Sequence, residues 1–156
     1  TDRTNNGDPD VGEKISQLWQ RFYTKTVLTQ IHHRIDDTAL GIYTDYTSDE
    51  KGDYTVMTAY EVSEVSDDQD LLETKVIKGG KYAKFVIKDE QEQVFSKVAG
   101  AWQVIWQMDL PRLFAADFED YHLDPSGICE VHIYISLKES VNACRHIDYL
   151  TLSISC

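Results

Sequence analysis

Apolar residues near the start of the chain recur at helical spacing, and the pattern then switches to alternation. Ile15, Leu18, Trp19, Phe22 and Tyr23 fall three and four residues apart, which predicts an amphipathic helix continuing to about Thr26. Two strand-like runs follow, LGIYTDY at 40–46 and DYTVMTAYEV at 53–62. They are joined by SDEKG, whose Gly52 and acidic residues suit a hairpin loop. An acidic loop at 64–70 and a short segment lead to Gly79-Gly80, and the order then returns. KYAKFVIK at 81–88 predicts a strand, 91–107 a helix, and ADFEDY at 116–121 and EVHIYISL at 130–137 two further strands. The opening TDRTNNGDPD is polar and turn-rich, and predicts an irregular start.

The two halves read as a duplication. LWQRF at 18–22 resembles AWQVI at 101–105, and YTDY at 43–46 resembles FEDY at 118–121. This predicts an α+β fold of two pseudo-symmetric strand–helix–strand–strand modules, with helices on one layer and mainly antiparallel sheets meeting at a central groove. The alignment equates Tyr46 with Tyr121 and sets Thr44 opposite Glu119. It also exposes a vacancy, because nothing strand-like precedes Ile15. HIDYLTLSI at 146–154 is a surplus run of β-rich character, and either fills that vacancy or is an unrelated extension.

In the run from Asp117 to Tyr121, the two-residue period of a strand puts Asp117, Glu119 and Tyr121 on one face, with Ala116 and Phe118 on the other. The acidic face is either solvated or lines a cavity, and a cavity would make it a cation site. Aromatic residues gather on the runs that should surround the groove: Phe22, Tyr43, Tyr46, Tyr60, Trp102, Trp106, Tyr121 and Tyr134. Trp19 and Trp102, at matched helix positions, read first as packing anchors. Trp106, one helical turn after Trp102, is placed either to pack or to stack on a ligand.

At 156 residues and 42% hydrophobic composition, the chain has the length of one globular domain. The net charge of −12 argues against recognition of a nucleic acid backbone and favours cationic partners. No run approaches a membrane span and no secretory leader is evident, so the expected location is cytoplasmic. Cys129, Cys144 and Cys156 lack CxxC spacing and are expected to be reduced thiols with no metal role. Asp49 and Glu50, like Asp67, Asp68 and Asp70, read as solvated loop charge.

RTNN (3–6), LWQRFY (18–23), GIYTDYTSDEKGDYTVMTAYEV (41–62), KYAKFVIK (81–88), Trp102 to Trp106, DFEDY (117–121) and EVHIYISL (130–137) together resemble the gyrase-inhibitor-like (GyrI-like) effector-binding fold. Domains of this kind form the ligand-binding half of AraC- and MerR-type multidrug regulators. The likeness is greatest to the stand-alone, integron-cassette-associated branch. It covers residues 1 to about 138 and leaves 139–156 as a C-terminal extension.

The resemblance implies a central cleft for cationic, lipophilic or aromatic compounds, with Glu119 as its glutamate and Glu130 at a second family glutamate position. Around Glu119 the expected ligand-binding set is Tyr121, Trp102, Trp106, Tyr46, Tyr60, Phe22 and His132. His132 has no second ligand-spaced histidine, so no metal is expected, nor any cofactor or catalytic residue. The expected partner is a cationic amphipathic small molecule, without direct nucleic acid or membrane binding, and with a homodimer or a separate DNA-binding regulator as company. Two rival functions stay open: hydrolysis of a reactive electrophile with Glu119 as base, and acidic inhibition of a DNA-acting enzyme such as gyrase.

Overall fold

In the computed structural model, which describes residues 1–65, 72–139 and 149–150, strands and helices follow in two matching sets. The first set is β1 (Asp2–Thr4), α1 (Val11–Phe22), a short α2 (Lys25–Gln30), β2 (Ala39–Thr44) and β3 (Tyr54–Ala59). The second is β4 (Gly80–Glu90), α3 (Gln91–Gln107), β5 (Ala116–Leu123) and β6 (Ile128–Leu137), followed by β7 (Tyr149–Leu150). The fold is α+β, as expected.

Among the described residues all pairings are antiparallel, and the strands form one sheet in the order β1-β3-β2-β5-β6-β4-β7. The blocks β1-β3-β2 and β5-β6-β4 mirror each other about the β2–β5 ladder. The expected modules are therefore present, joined edge to edge in one continuous sheet.

Three sequence expectations differ from the structure. Residues 2–4, read as irregular, form β1 and pair with β3, with Arg3 opposite Thr55. Three polar residues show no alternation, so this strand leaves no periodic signal; its Thr4 is nevertheless buried. The place beside β3 is thus taken by β1. Most of 146–154 lies outside the described residues, and Tyr149 and Leu150 pair with Lys81 and Gly80 of β4, at the opposite edge.

The second correction concerns register. Gly41 sits opposite Glu119 and Tyr43 opposite Asp117, whereas Thr44 faces Ala116. The YTDY/FEDY similarity is out of step with the pleat by one residue, and a one-residue slip exchanges the two faces of a strand. Thr44 is buried, with its hydroxyl donating to the Ala115 carbonyl at 3.2 Å. Helix α1 also stops earlier than its periodicity suggests, because Thr24 adopts an extended backbone before α2 begins.

Alternation sorts the core. On one face, Leu18 of α1 packs with Tyr54 and Val56, and Val94, Val98, Trp102 and Ile105 of α3 cover Val131, Ile133 and Ile135. On the other, Ile42, Met57, Phe118 and Tyr134 are joined by Ile77 from the segment before β4. Each such side chain contributes roughly 1.5–3 kcal/mol by leaving water. Because α1 packs on β1 and β3 while α3 packs on β4 and β6, the central strands β2 and β5 lie between the helices without a helix over them. That arrangement makes a cleft. Among the described residues, no helix is long and apolar enough to cross a membrane.

Candidate functional site

The cleft has a volume of about 750 Å³, with α1 and α3 as walls and β2 and β5 as floor. This falls within the roughly 300–1,000 Å³ of small-molecule sites. Glu119 projects from the floor and is 1% exposed. Three donors converge on it: the Tyr121 hydroxyl on Oε2 at 2.6 Å, the Tyr43 hydroxyl on Oε1 at 3.1 Å, and the Trp102 indole N–H, also on Oε1. Each comes from a different element. β5 supplies Tyr121 two residues on, β2 supplies Tyr43 across the ladder, and α3 lowers Trp102 from above.

These donors are all neutral. Burial pushes the Glu119 carboxyl above the ordinary glutamate value of 4.5, while hydrogen bonds from Tyr121, Trp102 and Tyr43 pull in the opposite direction. The phenols of Tyr43 and Tyr121 are pushed well above their ordinary value of 10.0, first by burial and then by the Glu119 charge, which holds them protonated as donors.

Asp117, on the same strand face, has a different role. Fully buried, it accepts from Arg112 Nη2 at 2.7 Å, the Tyr46 hydroxyl at 2.9 Å, and the Ser136 N–H and hydroxyl at 2.7 and 2.9 Å. Arg112 is 6% exposed and lies over the Phe114 ring at 4.3 Å. This pair is internally neutral. The acidic face of β5 thus divides into one carboxylate with a buried counter-ion and one held by neutral donors.

Aromatic rings enclose Glu119. Trp19 meets Tyr121 edge-on at 5.2 Å, Tyr43 meets Trp102 edge-on at 5.1 Å, and Phe95 stacks on Tyr121 at 5.7 Å. At the mouth, Trp106 is 38% exposed and lies 6.4 Å from Trp102. Glu119, Tyr121, Trp102, Trp106 and Tyr46 of the sequence-predicted set therefore all line the cleft.

The others do not join them. Phe22 and Tyr60 are buried together in a separate cluster with Ile31 and Ala39, their rings 5.0 Å apart, and Arg34 lies over Tyr60 at 4.7 Å. Alternation along β6 turns Val131 and Ile133 toward α3, so His132 and Glu130 stand on the opposite sheet face, 2.7 Å apart.

Trp19, Tyr54, Phe95, Arg112 and Glu50 also line the cleft, outside the set expected from the sequence. Trp19 sits on the same α1 wall as Ile15, and its match to Trp102 was the available signal. Glu50 and Arg112 lie in connections, where no periodicity marks which residue turns inward.

A match to the integron-associated effector binding protein family spans residues 2–137. The chain belongs to that family. A solved structure of an integron cassette protein from the mobile metagenome of Vibrio cholerae is similar to it in fold, with a TM-score of 0.64 and 28% identity over 88% of this chain and 86% of that one. No curated protein matches the chain. Membership accounts for both the module order and the integron-cassette likeness in the sequence, and it makes effector binding the general function to be explained by the site.

Proposed function

We propose that the chain binds cationic, lipophilic or aromatic small molecules in the cleft between α1 and α3, with Glu119 as the counter-charge. The observation that carries this reading is a buried carboxylate inside an aromatic cleft, with three neutral donors and no ion-pair partner among the described residues. A buried charge without a counter-ion is costly. A ligand cation relieves that cost, while the surrounding rings contribute roughly 0.5–2 kcal/mol for each cation–π contact.

The net charge of −12 adds long-range attraction for cations. The exposed rings at the mouth suit the lipophilic part of an amphipathic ligand. In this reading the protein acts in the cytoplasm as a sensor or sequestering module in drug response or transcription regulation, and a separate DNA-binding partner supplies any contact with DNA.

Tryptophan fluorescence tests the reading, because Trp19, Trp102 and Trp106 all line the cleft. Titration with a lipophilic cation, its neutral isostere and a matched anion should give saturable quenching with the cation at much lower concentration than with the other two. Equal response to all three ligands, or turnover of an electrophile in place of binding, would contradict it.

A further inference from the structure

On the sheet face away from the cleft, β5 and β6 bring together Asp120, His122 and His132, with Glu130 beside them. The register sets Asp120 opposite His132 and His122 opposite Glu130. Asp120 Oδ1 lies 3.0 Å from His122 Nε2 and 3.0 Å from His132 Nδ1. One ligand atom from each of the three residues falls within 4.8 Å of the other two. We propose that Asp120, His122 and His132 form a site for a divalent first-row transition ion, with Glu130 fixing the orientation of His132.

Tautomer chemistry is the first support. His132 Nε2 is 2.7 Å from Glu130 Oε1, so the N–H placed there donates to the carboxylate and leaves Nδ1 a lone pair, which faces the Tyr134 hydroxyl at a long 3.5 Å and is open to exchange that contact for a metal. That nitrogen lies on the side of Asp120. A carboxylate holding the far nitrogen of a metal-binding histidine is the usual outer-shell partner, fixing both tautomer and ring orientation.

The second support is Asp120 Oδ1. This atom is buried and makes no hydrogen bond among the described residues, although two ring nitrogens stand 3.0 Å away. Both contacts have the distance of a hydrogen bond without its alignment, so the oxygen retains lone pairs for a cation. A tetrahedral site with bonds of roughly 2.0–2.2 Å has ligand–ligand edges of roughly 3.3–3.6 Å. The observed separations bracket that range, and the exposed His122 ring has room to adjust.

Strand geometry supplies rigidity. β5 and β6 are interior strands, each paired on both sides, so cross-strand neighbours hold the three ligands in register. Two imidazoles and one carboxylate suit Zn²⁺, Ni²⁺ or Cu²⁺ better than Mg²⁺ or Ca²⁺. Of the cations nearby, Lys88 lies 3.5 Å from Glu130 Oε2 and Lys84 lies over the Tyr134 ring at 5.5 Å. Nine intervening residues between His122 and His132 conceal this group in the sequence, and the β5–β6 hairpin makes them neighbours.

The test is Zn²⁺ binding in competition with a chromophoric chelator, paired with the absorption spectrum of the Co²⁺-loaded protein. Wild type should bind one ion at this site, and His122→Ala and His132→Ala should each weaken binding at least tenfold. Glu130→Gln should weaken it by about tenfold or more, as outer-shell changes do. The Co²⁺ spectrum should show nitrogen and oxygen ligation. Absence of binding by wild type, unchanged affinity in His122→Ala, or a thiolate-to-metal charge-transfer band pointing to cysteine would overturn the proposal.

Discussion

Gly41 lies directly across the β2–β5 ladder from Glu119, and a Cβ at that position would come 3.2 Å from Glu119 Oε2 and 3.2 Å from Trp19 Cζ2. Omitting a side chain here keeps the carboxylate open to the cleft and lets the Trp19 wall close toward it. Gly41→Val should displace one or both neighbours and destabilise the protein by about 1–3 kcal/mol, the usual range for overpacking. Its affinity for a lipophilic cation should fall as well. Denaturant titration and ligand titration of the same variant check both outcomes; full stability with full affinity would show that the close approach has no role.

Arg112 and Asp117 give a contrasting case, since this buried pair serves the fold. Arg112→Met leaves Asp117, which is fully buried, without its counter-ion. Breaking a buried pair from one side costs about 3–5 kcal/mol, so the chemical-denaturation midpoint should drop sharply. A midpoint within error of wild type would refute the structural assignment.

Glu119 imposes a pH dependence of defined sign. Its folded-state pKa is raised by burial, so the folded chain holds this proton more tightly than the unfolded chain. The stability linked to Glu119 is present below the ordinary glutamate value of 4.5 and is lost as pH rises through the elevated folded value. Glu119→Gln should remove this component of the stability–pH profile. Over the same window, cation binding to wild type should strengthen with pH and release a proton. Calorimetry in buffers of different ionisation enthalpy measures that release, and none in the window would contradict the shift.

Trp106 is predicted to act as a stacking wall at the mouth. Being 38% exposed, it contributes little to the core, and Trp106→Ala should leave stability nearly unchanged. Planar aromatic cations should lose about 0.5–2 kcal/mol of binding, and compact aliphatic cations less. Equal losses for both shapes, or unfolding, would assign Trp106 to packing.

Strong periodicity made most elements legible from the sequence. α3 occupies the predicted 91–107, because Val94, Val98, Trp102 and Ile105 mark one buried stripe. β5 begins at Ala116 as its alternation requires. Short or weakly patterned features were not legible. β1 is three residues long, and its reason for being a strand is the exposed edge of β3 that it completes.

The site was legible where chemistry and pattern coincide. Glu119 stood out as a carboxylate between aromatics, but its relation to Tyr43 was not readable. That relation depends on the even register between β2 and β5, and YTDY/FEDY suggested an odd one. Phe22 and Tyr60 sit on the right elements, yet they point into the cluster with Ile31 and Ala39. Composition identifies aromatics near a groove, whereas facing is set by the register and the helix rotation.

The central claim is that the Glu119 charge selects cations. Isothermal titration of wild type and Glu119→Gln with a lipophilic aromatic cation and with its neutral isostere tests this most directly, because the substitution keeps the side-chain shape and deletes the charge. The account predicts a loss of about 1.5–3 kcal/mol for the cation, the range of a charge-assisted contact, with little change for the isostere and a folded variant. Equal cation affinity in the two proteins, with the variant shown to be folded, would contradict it.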